Sequence, residues 1–336
     1  MSEKKQWFWG AIVVAIATSL SGCGADTQAT TQTTASPKPK VVASYSILCD
    51  LTEKIAQETV ELKCLVGADR DPHTYQATPE DRKAIETAQL IFYGGYDFEP
   101  AIIDLVKATN NFAPKVAVNE KAVPNPLMGE EHHHHHTEVE QHQEKHQDEE
   151  KAPDPHVWHD VENGIRMVEI IRDRLINIAP ANTNLYTSNA QKLTAQLKQV
   201  DTWIARQINT IPAKQRKLVT THDALGYYAK AYGLTIEGTL QGFSSEEQPT
   251  AARVKELVKE VKEAGVPTIF AEMTANDKVI KTVAREAKVK VSDRKLIVDG
   301  LADKGTLAGS YVGMLTANTC AIVEGLGGKC TAFQSF

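Results

Sequence analysis

The chain has 336 residues and a formal net charge of −6, with 42% hydrophobic and 24% charged residues. That length suits two domains of ordinary size. A mildly acidic balance without a basic cluster excludes nucleic-acid binding, because phosphates demand concentrated Lys and Arg.

The N-terminal region reads as an export signal. Lys4 and Lys5 precede an apolar run from Trp7 to Ala17, and Leu20-Ser21-Gly22-Cys23 follows, the layout of a secretory signal peptide. The run is about half the ~20 residues a spanning helix needs, so residues 1–22 are expected to be removed. Leu-Ser-Gly-Cys resembles the bacterial lipobox, in which the cysteine, here Cys23, receives lipid and becomes the first mature residue. Removal leaves 314 residues and takes away Lys4, Lys5 and Glu3, so the charge moves from −6 to −7. Residues 23–40, rich in Thr, Ala, Ser, Gln, Pro and Lys, have little to bury and read as a flexible tether. A body anchored by lipid to a membrane, in the periplasm or cell envelope, is expected.

From residue 41 strand and helix signals alternate. Val41 to Ser46 reads as a strand, Leu51 to Ile55 as a helix ending near Gln57, Val60 to Val66 as a strand, Pro79 to Thr87 as a helix and Leu90 to Tyr93 as a strand. The alternation returns later, with strands at 217–221, 235–238 and 268–271 and helices at 224–232, 250–264 and 279–287. This pattern predicts an α/β fold of two lobes with mainly parallel sheets covered on both faces. The lobes are expected over 41–181 and 212–336. Between them, 182–211 holds no Gly or Pro, and Leu185, Leu193, Leu197, Val200, Ile204 and Ile208 fall at mostly helical spacing. One rigid helix of about 30 residues, near 45 Å at 1.5 Å per residue, would join the lobes; two consecutive helices within one domain are the alternative.

Residues 130–151 break the pattern. They hold His132, His133, His134, His135, His136, His142 and His146 together with eight acids, and Val139 is the single branched aliphatic residue. Such a segment cannot form a core; it reads as an exposed loop that weakly collects metal. An inserted purification tag is disfavoured, because the run is internal and spaced histidines follow it. Four cysteines follow Cys23, and an even count in an exported protein suggests disulfides. Of three possible pairings the two local ones are favoured, Cys49 with Cys64 and Cys320 with Cys330. No Cys-x-x-Cys pair supports a cysteine zinc site.

Outside the loop the only histidines are His73, His156, His159 and His222. Asp71-Pro72-His73 and Asp154-Pro155-His156 repeat one motif, and proline stiffens the segment that presents each histidine. His222 ends the apolar run 218–221, and Asp299 follows Leu296-Ile297-Val298 in the same way. Carboxyl ends of parallel strands are where α/β folds place ligand sites. His159 is either a further ligand or a neighbour that points elsewhere. Glu272 is either an orienting carboxylate or a solvated acid, and helix capping suffices to explain Glu246 and Glu247.

The strings Asp-Pro-His-Thr-Tyr near 71, Asp-Pro-His-Val-Trp near 154, Thr-His-Asp-Ala-Leu-Gly-Tyr-Tyr near 221, Pro-Thr-Ile-Phe-Ala-Glu near 267 and Val-Asp-Gly-Leu near 298 resemble the metal-specific cluster A-I solute-binding proteins of ABC importers, zinc type. The resemblance runs from about 41 to 336. It implies two α/β lobes joined by a long helix, with one metal in the cleft between them. It also implies His73 and His156 as ligands from the first lobe, His222 and Asp299 from the second, and a monomer that serves a permease and its ATPase. Three imidazoles and one carboxylate suit Zn2+. Manganese-tuned members carry glutamate at the position of His222, which suits a harder ion. A zinc hydrolase is the rival class, but no His-Glu-x-x-His string supplies a base and four ligands would close the shell. A metal-sensing or adhesin-like lipoprotein on the same fold is a third possibility.

Overall fold

Lys40–Tyr45 (β1) has five consecutive buried residues after its first, Val41 through Tyr45. A strand without alternation is buried on both faces, as in the middle of a parallel sheet. In the computed structural model, which describes residues 37–68, 70–130, 151–246 and 248–334, β1 lies between Glu61–Val66 (β2) and Leu90–Tyr93 (β3). Lys115–Ala117 (β4) follows, giving the all-parallel order β2-β1-β3-β4. The edge strand β2 alternates over its first four residues, with Leu62 and Cys64 more covered than Glu61 and Lys63. The proposed leader and nearly all of the tether lie outside the described residues, as do 131–150.

Helices Ser46–Ala56 (α1), Pro79–Thr87 (α2), Pro100–Ala108 (α3) and Val118–Ala122 (α4) accompany this sheet. The first begins five residues before the expected Leu51, since Ile47, Leu48, Leu51 and Ile55 bury one face at helical spacing. A capping box starts α2: Thr78 Oγ1 accepts from the Asp81 amide at 3.2 Å, and Asp81 Oδ2 accepts from the Thr78 amide at 2.8 Å. Met128–Glu130 (β5) and Lys151–Pro153 (β6) form an antiparallel pair in which Glu130 faces Lys151. The ends of the expected 130–151 loop are therefore paired strand residues.

Val161–Ile178 (α5) leads through a 3-10 turn at Pro180–Asn182 into Thr183–Ile208 (α6). The 26 residues of α6 span about 39 Å at ~1.5 Å each. One unbroken helix thus occupies most of 182–211, and Tyr186, Leu193, Leu197, Val200 and Ile204 form its buried stripe. In the second lobe Lys217–His222 (β7) pairs in parallel with Thr235–Gln241 (β8), separated by Gly226–Tyr232 (α7). The amide of Phe270 donates to Val219 O at 2.9 Å, which extends the layer to Thr268–Ile269 (β9) and its parallel partner Lys290–Val291 (β10).

Ala251–Ala264 (α8) is capped by Thr250, whose Oγ1 accepts from the Arg253 amide at 3.1 Å. The capping therefore falls to Thr250 and not to Glu246; Glu247 lies outside the described residues. Gly265, with φ of 65°, ends α8 in the left-handed conformation glycine tolerates. Lys278–Ala287 (α9) and Tyr311–Gly325 (α10) complete the lobe. The strand-like run 296–298 before Asp299 joins the sheet through a single bridge between Leu296 and Glu272.

Two apolar clusters hold these layers. The larger joins the first sheet to α5, α6 and α10 through residues such as Phe92, Ile171, Leu197, Met314 and Ile322. The smaller, with Val219, Leu240, Leu257, Val261, Ile280 and Val283, packs the second sheet against α8 and α9. Disulfides join Cys49 to Cys64 and Cys320 to Cys330, with Cα separations of 5.8 and 5.2 Å. Among the described residues no helix is long and apolar enough to cross a membrane.

Candidate metal site

Both Asp-Pro-His motifs fold the same way. Asp71 Oδ1 accepts from the His73 amide at 2.9 Å, and Asp154 Oδ1 accepts from the His156 amide at 2.9 Å. This aspartate turn, with proline fixing the middle torsion, aims each imidazole inward from a short connection. His222 is the last residue of β7. Asp299 follows the extended segment that bridges to Glu272.

The four side chains converge. His73 Nε2 lies 3.3 Å from His156 Nε2, and Asp299 Oδ1 lies 3.6, 3.4 and 3.2 Å from the Nε2 atoms of His73, His156 and His222. All four donor atoms fall within 4.8 Å of one another. Ligands ~2.0–2.1 Å from a tetrahedral ion are about 3.3–3.4 Å apart along each edge, and the separations from Asp299 Oδ1 to the three imidazoles and between His73 and His156 are close to that length. His73 is 6% exposed, and the other three are 1% or less.

Carboxylates behind the rings set their tautomers. His156 Nδ1–H donates to Asp154 Oδ1 at 2.8 Å, and His222 Nδ1–H donates to Glu272 Oε2 at 2.5 Å. Each ring is left with Nε2 facing the cage. Glu272, open at the sequence level to orientation or solvation, is buried and grips His222. Phe98 stands edge-on to His73 with ring centroids 4.9 Å apart, and Trp158 lies 5.5 Å from His156. Phe243 closes over Gly129, where a Cβ would collide with its ring.

Electrostatics follow from these neighbours. Burial alone would lower the His222 pKa, but Asp299 and Glu272 outweigh it and hold the imidazolium well above its ordinary value. Burial likewise opposes the charge on His156, and the hydrogen bonds to Asp154 and Asp299 raise it. For His73 burial prevails and its pKa is lowered. Asp299 is held well below the carboxylate range: burial works against its charge, and His222, His156 and His73 overcome that. The shifts of His222 and Asp299 share one cause, the mutual attraction of the Asp299 carboxylate and the His222 imidazole.

His159 does not join the cage. Its Nε2–H donates to Val298 O at 2.9 Å, and burial with the nearby His156 charge pushes its pKa down to about 3. The His-rich residues from His132 to His146 lie outside the described residues. Sequence reading assigned no role to Phe98, Trp158 or Asp223, whose pKa burial and Asp154 raise to about 6. Asp223 stands beside His222 and Trp158 ends the Asp-Pro-His-Val-Trp string; Phe98 carries no local signal.

A buried group of three histidines and one aspartate that could hold a metal ion, set between two α/β lobes on a helical spine, has the layout of a metal-specific solute-binding protein. Comparison with known proteins agrees: residues 41–325 match the family described as zinc-uptake complex component A, periplasmic, and the chain belongs to that family. It is 32% identical over 294 residues to the manganese ABC transporter substrate-binding lipoprotein PsaA of Streptococcus pneumoniae serotype 4, covering 88% of this chain and 91% of that one. It is 30% identical over 315 residues to the manganese-binding lipoprotein MntA of Halalkalibacterium halodurans, covering 94% and 97%. The solved periplasmic zinc binding protein TroA from Treponema pallidum superposes with a TM-score of 0.76 at 31% identity, covering 86% of this chain and 99% of that one. The protein is therefore the extracytoplasmic metal-binding component of an ABC importer, which also has a permease and an ATPase, and it is not an enzyme.

Proposed function

We propose that the protein captures Zn2+ through His73, His156, His222 and Asp299 and hands it to its permease as a monomer tethered by lipid on Cys23. The observation that carries this reading is the donor set: three imidazole nitrogens around one carboxylate oxygen, which lies 3.2–3.6 Å from each of them. Zinc is borderline-soft and accepts four such ligands, whereas manganese prefers more oxygen donors and a larger coordination number. The ion is cargo, so the site must hold it tightly yet release it. Buried charge in the metal-free cage supports reversibility, because a protonated His222 beside Asp299 offers a stable alternative to the bound ion.

Manganese is the second reading, favoured by relatives named as manganese-binding. Raw affinity favours Zn2+ over Mn2+ at almost any nitrogen- and oxygen-donor site, so the test is elemental analysis of the protein isolated without added metal from cells supplied with both ions. One equivalent of zinc supports the proposal. One equivalent of manganese sinks it.

A further inference from the structure

Asp299 belongs by chain position to the second lobe, yet the backbone on both sides of it is bonded to the first. On its N-terminal side Val298 O accepts from Trp158 Nε1 at 3.1 Å and from His159 Nε2 at 2.9 Å, although the second lobe also holds this segment, since the Leu296 amide donates to Ala271 O at 2.9 Å and Thr274 Oγ1 donates to Asp299 Oδ2 at 3.3 Å. On its C-terminal side the Leu301 amide donates to Ser46 Oγ at 2.9 Å. Gly300 between them sits so close to α1 that a Cβ would fall 2.7 Å from Ser46 Oγ. Asp50 and Glu53, one and two turns further along the same face of α1, continue the seam. Asp50 Oδ2 accepts from the Tyr311 amide at 3.0 Å, and Lys304 Nζ donates to Glu53 at 2.7 Å. Tyr311 in turn donates its hydroxyl hydrogen to Trp158 O at 2.5 Å. Val298 and Leu301 share the larger apolar cluster with the first sheet. His222, by contrast, is gripped by Glu272 through its ring and its amide.

We propose that Ser46, Trp158 and His159 are positioning residues for Asp299: they tie it to the first lobe, so that His73, His156 and Asp299 form one prearranged half-site and His222 is the fourth ligand that closes it. The inference rests on the reading of these four side chains as ligands of a single ion. Physically, a carboxylate fixed by buried hydrogen bonds at both flanks needs no ordering when the ion arrives. Release then requires breaking the single His222 bond first, leaving a two-histidine, one-carboxylate site with open positions.

The test uses the full-length chain loaded with one equivalent of Co2+ or Zn2+. Ser46→Ala removes the hydroxyl that holds Leu301. It is expected to shift the visible bands of bound Co2+ and to raise the rate of Zn2+ loss to a chelator about five- to tenfold, the effect of one buried hydrogen bond. The melting temperature of the metal-free protein should change little. Hydrogen exchange gives a second, variant-free measurement: the Leu301 amide should be equally protected in loaded and chelator-treated wild-type protein. Unchanged Co2+ bands and dissociation in Ser46→Ala overturn the proposal, as does loss of Leu301 protection when metal is removed. A melting shift alone, with unaltered bands, makes Ser46 merely structural and overturns it too. Failure of wild type to take up one tight equivalent would instead refute the metal-site reading.

Discussion

Glu272 holds His222 with both of its carboxylate oxygens: Oε2 accepts from the ring Nδ1 at 2.5 Å, and Oε1 accepts from the backbone amide at 3.1 Å. The amide of Thr221 also donates to Oε1, at 3.0 Å. Ring tautomer and strand end are thereby fixed by one buried side chain. Glu272→Ala is expected to lower zinc affinity about 10- to 100-fold, the usual effect of losing the carboxylate behind a ligating histidine. Isothermal titration would read it, and an unchanged affinity would remove Glu272 from the site.

His222 itself should govern metal preference. His222→Ala should weaken zinc binding strongly, since a nitrogen donor is lost and water replaces it poorly. His222→Glu should keep a filled shell with more oxygen, narrowing the gap between Zn2+ and Mn2+ without inverting it. Competition titrations on wild type and both variants check this. Identical affinities in all three would show that His222 is not a ligand.

Acid should release the ion, from a pH above the ordinary histidine range of ~6.5. The metal needs neutral imidazoles, and the pKa of His222 in the metal-free protein is raised by Asp299 and Glu272 against the effect of burial. Below that raised pKa, binding must expel a proton, so zinc affinity falls as pH falls, by up to about tenfold per pH unit for each proton expelled. Above it the dependence flattens. Titrations from pH 5 to pH 9 should show this slope, and His222→Ala should shift its onset downward. A flat profile would contradict a protonated His222.

Because Glu130 and Lys151 are paired across β5 and β6, residues 131–150 can be replaced by a short turn without parting the strands. The shortened protein should lose weak extra zinc equivalents and keep one tight equivalent. Loss of the tight equivalent would place the principal ligands in the His-rich segment.

The Cys49–Cys64 bond closes 15 residues between α1 and β2. Replacing both cysteines with alanine should destabilise the metal-free protein by about 3 kcal/mol, mainly by freeing the unfolded chain. Chemical denaturation would measure it, and zinc affinity at 25 °C should stay near that of wild type because neither sulfur touches the cage.

Much of the fold was legible because its signals are local. Asp71-Pro72-His73 and Asp154-Pro155-His156 specify aspartate turns within three residues, and the apolar spacing of α6 lies within one continuous stretch. Strand–helix alternation likewise states the fold class and puts His222 at a strand end. The strand signal was read to Ser46 and the helix only from Leu51, whereas α1 starts at Ser46, because the buried face that Ile47 and Leu48 share with Leu51 and Ile55 shows only once the helix packs on the sheet. What only the tertiary structure decided is which groups meet across the chain. Ser46 reaches Leu301 over 255 positions, Trp158 reaches Val298 over 140, and Glu272 reaches His222 over 50. Hydrogen bonds at such separations leave no periodicity in the sequence, because the partners become neighbours only after the sheets and α6 have packed. The sequence by itself determined the donor types and the local turns that aim them; the packing of the two lobes determined the partners that set their tautomers and the hydrogen bonds that flank Asp299.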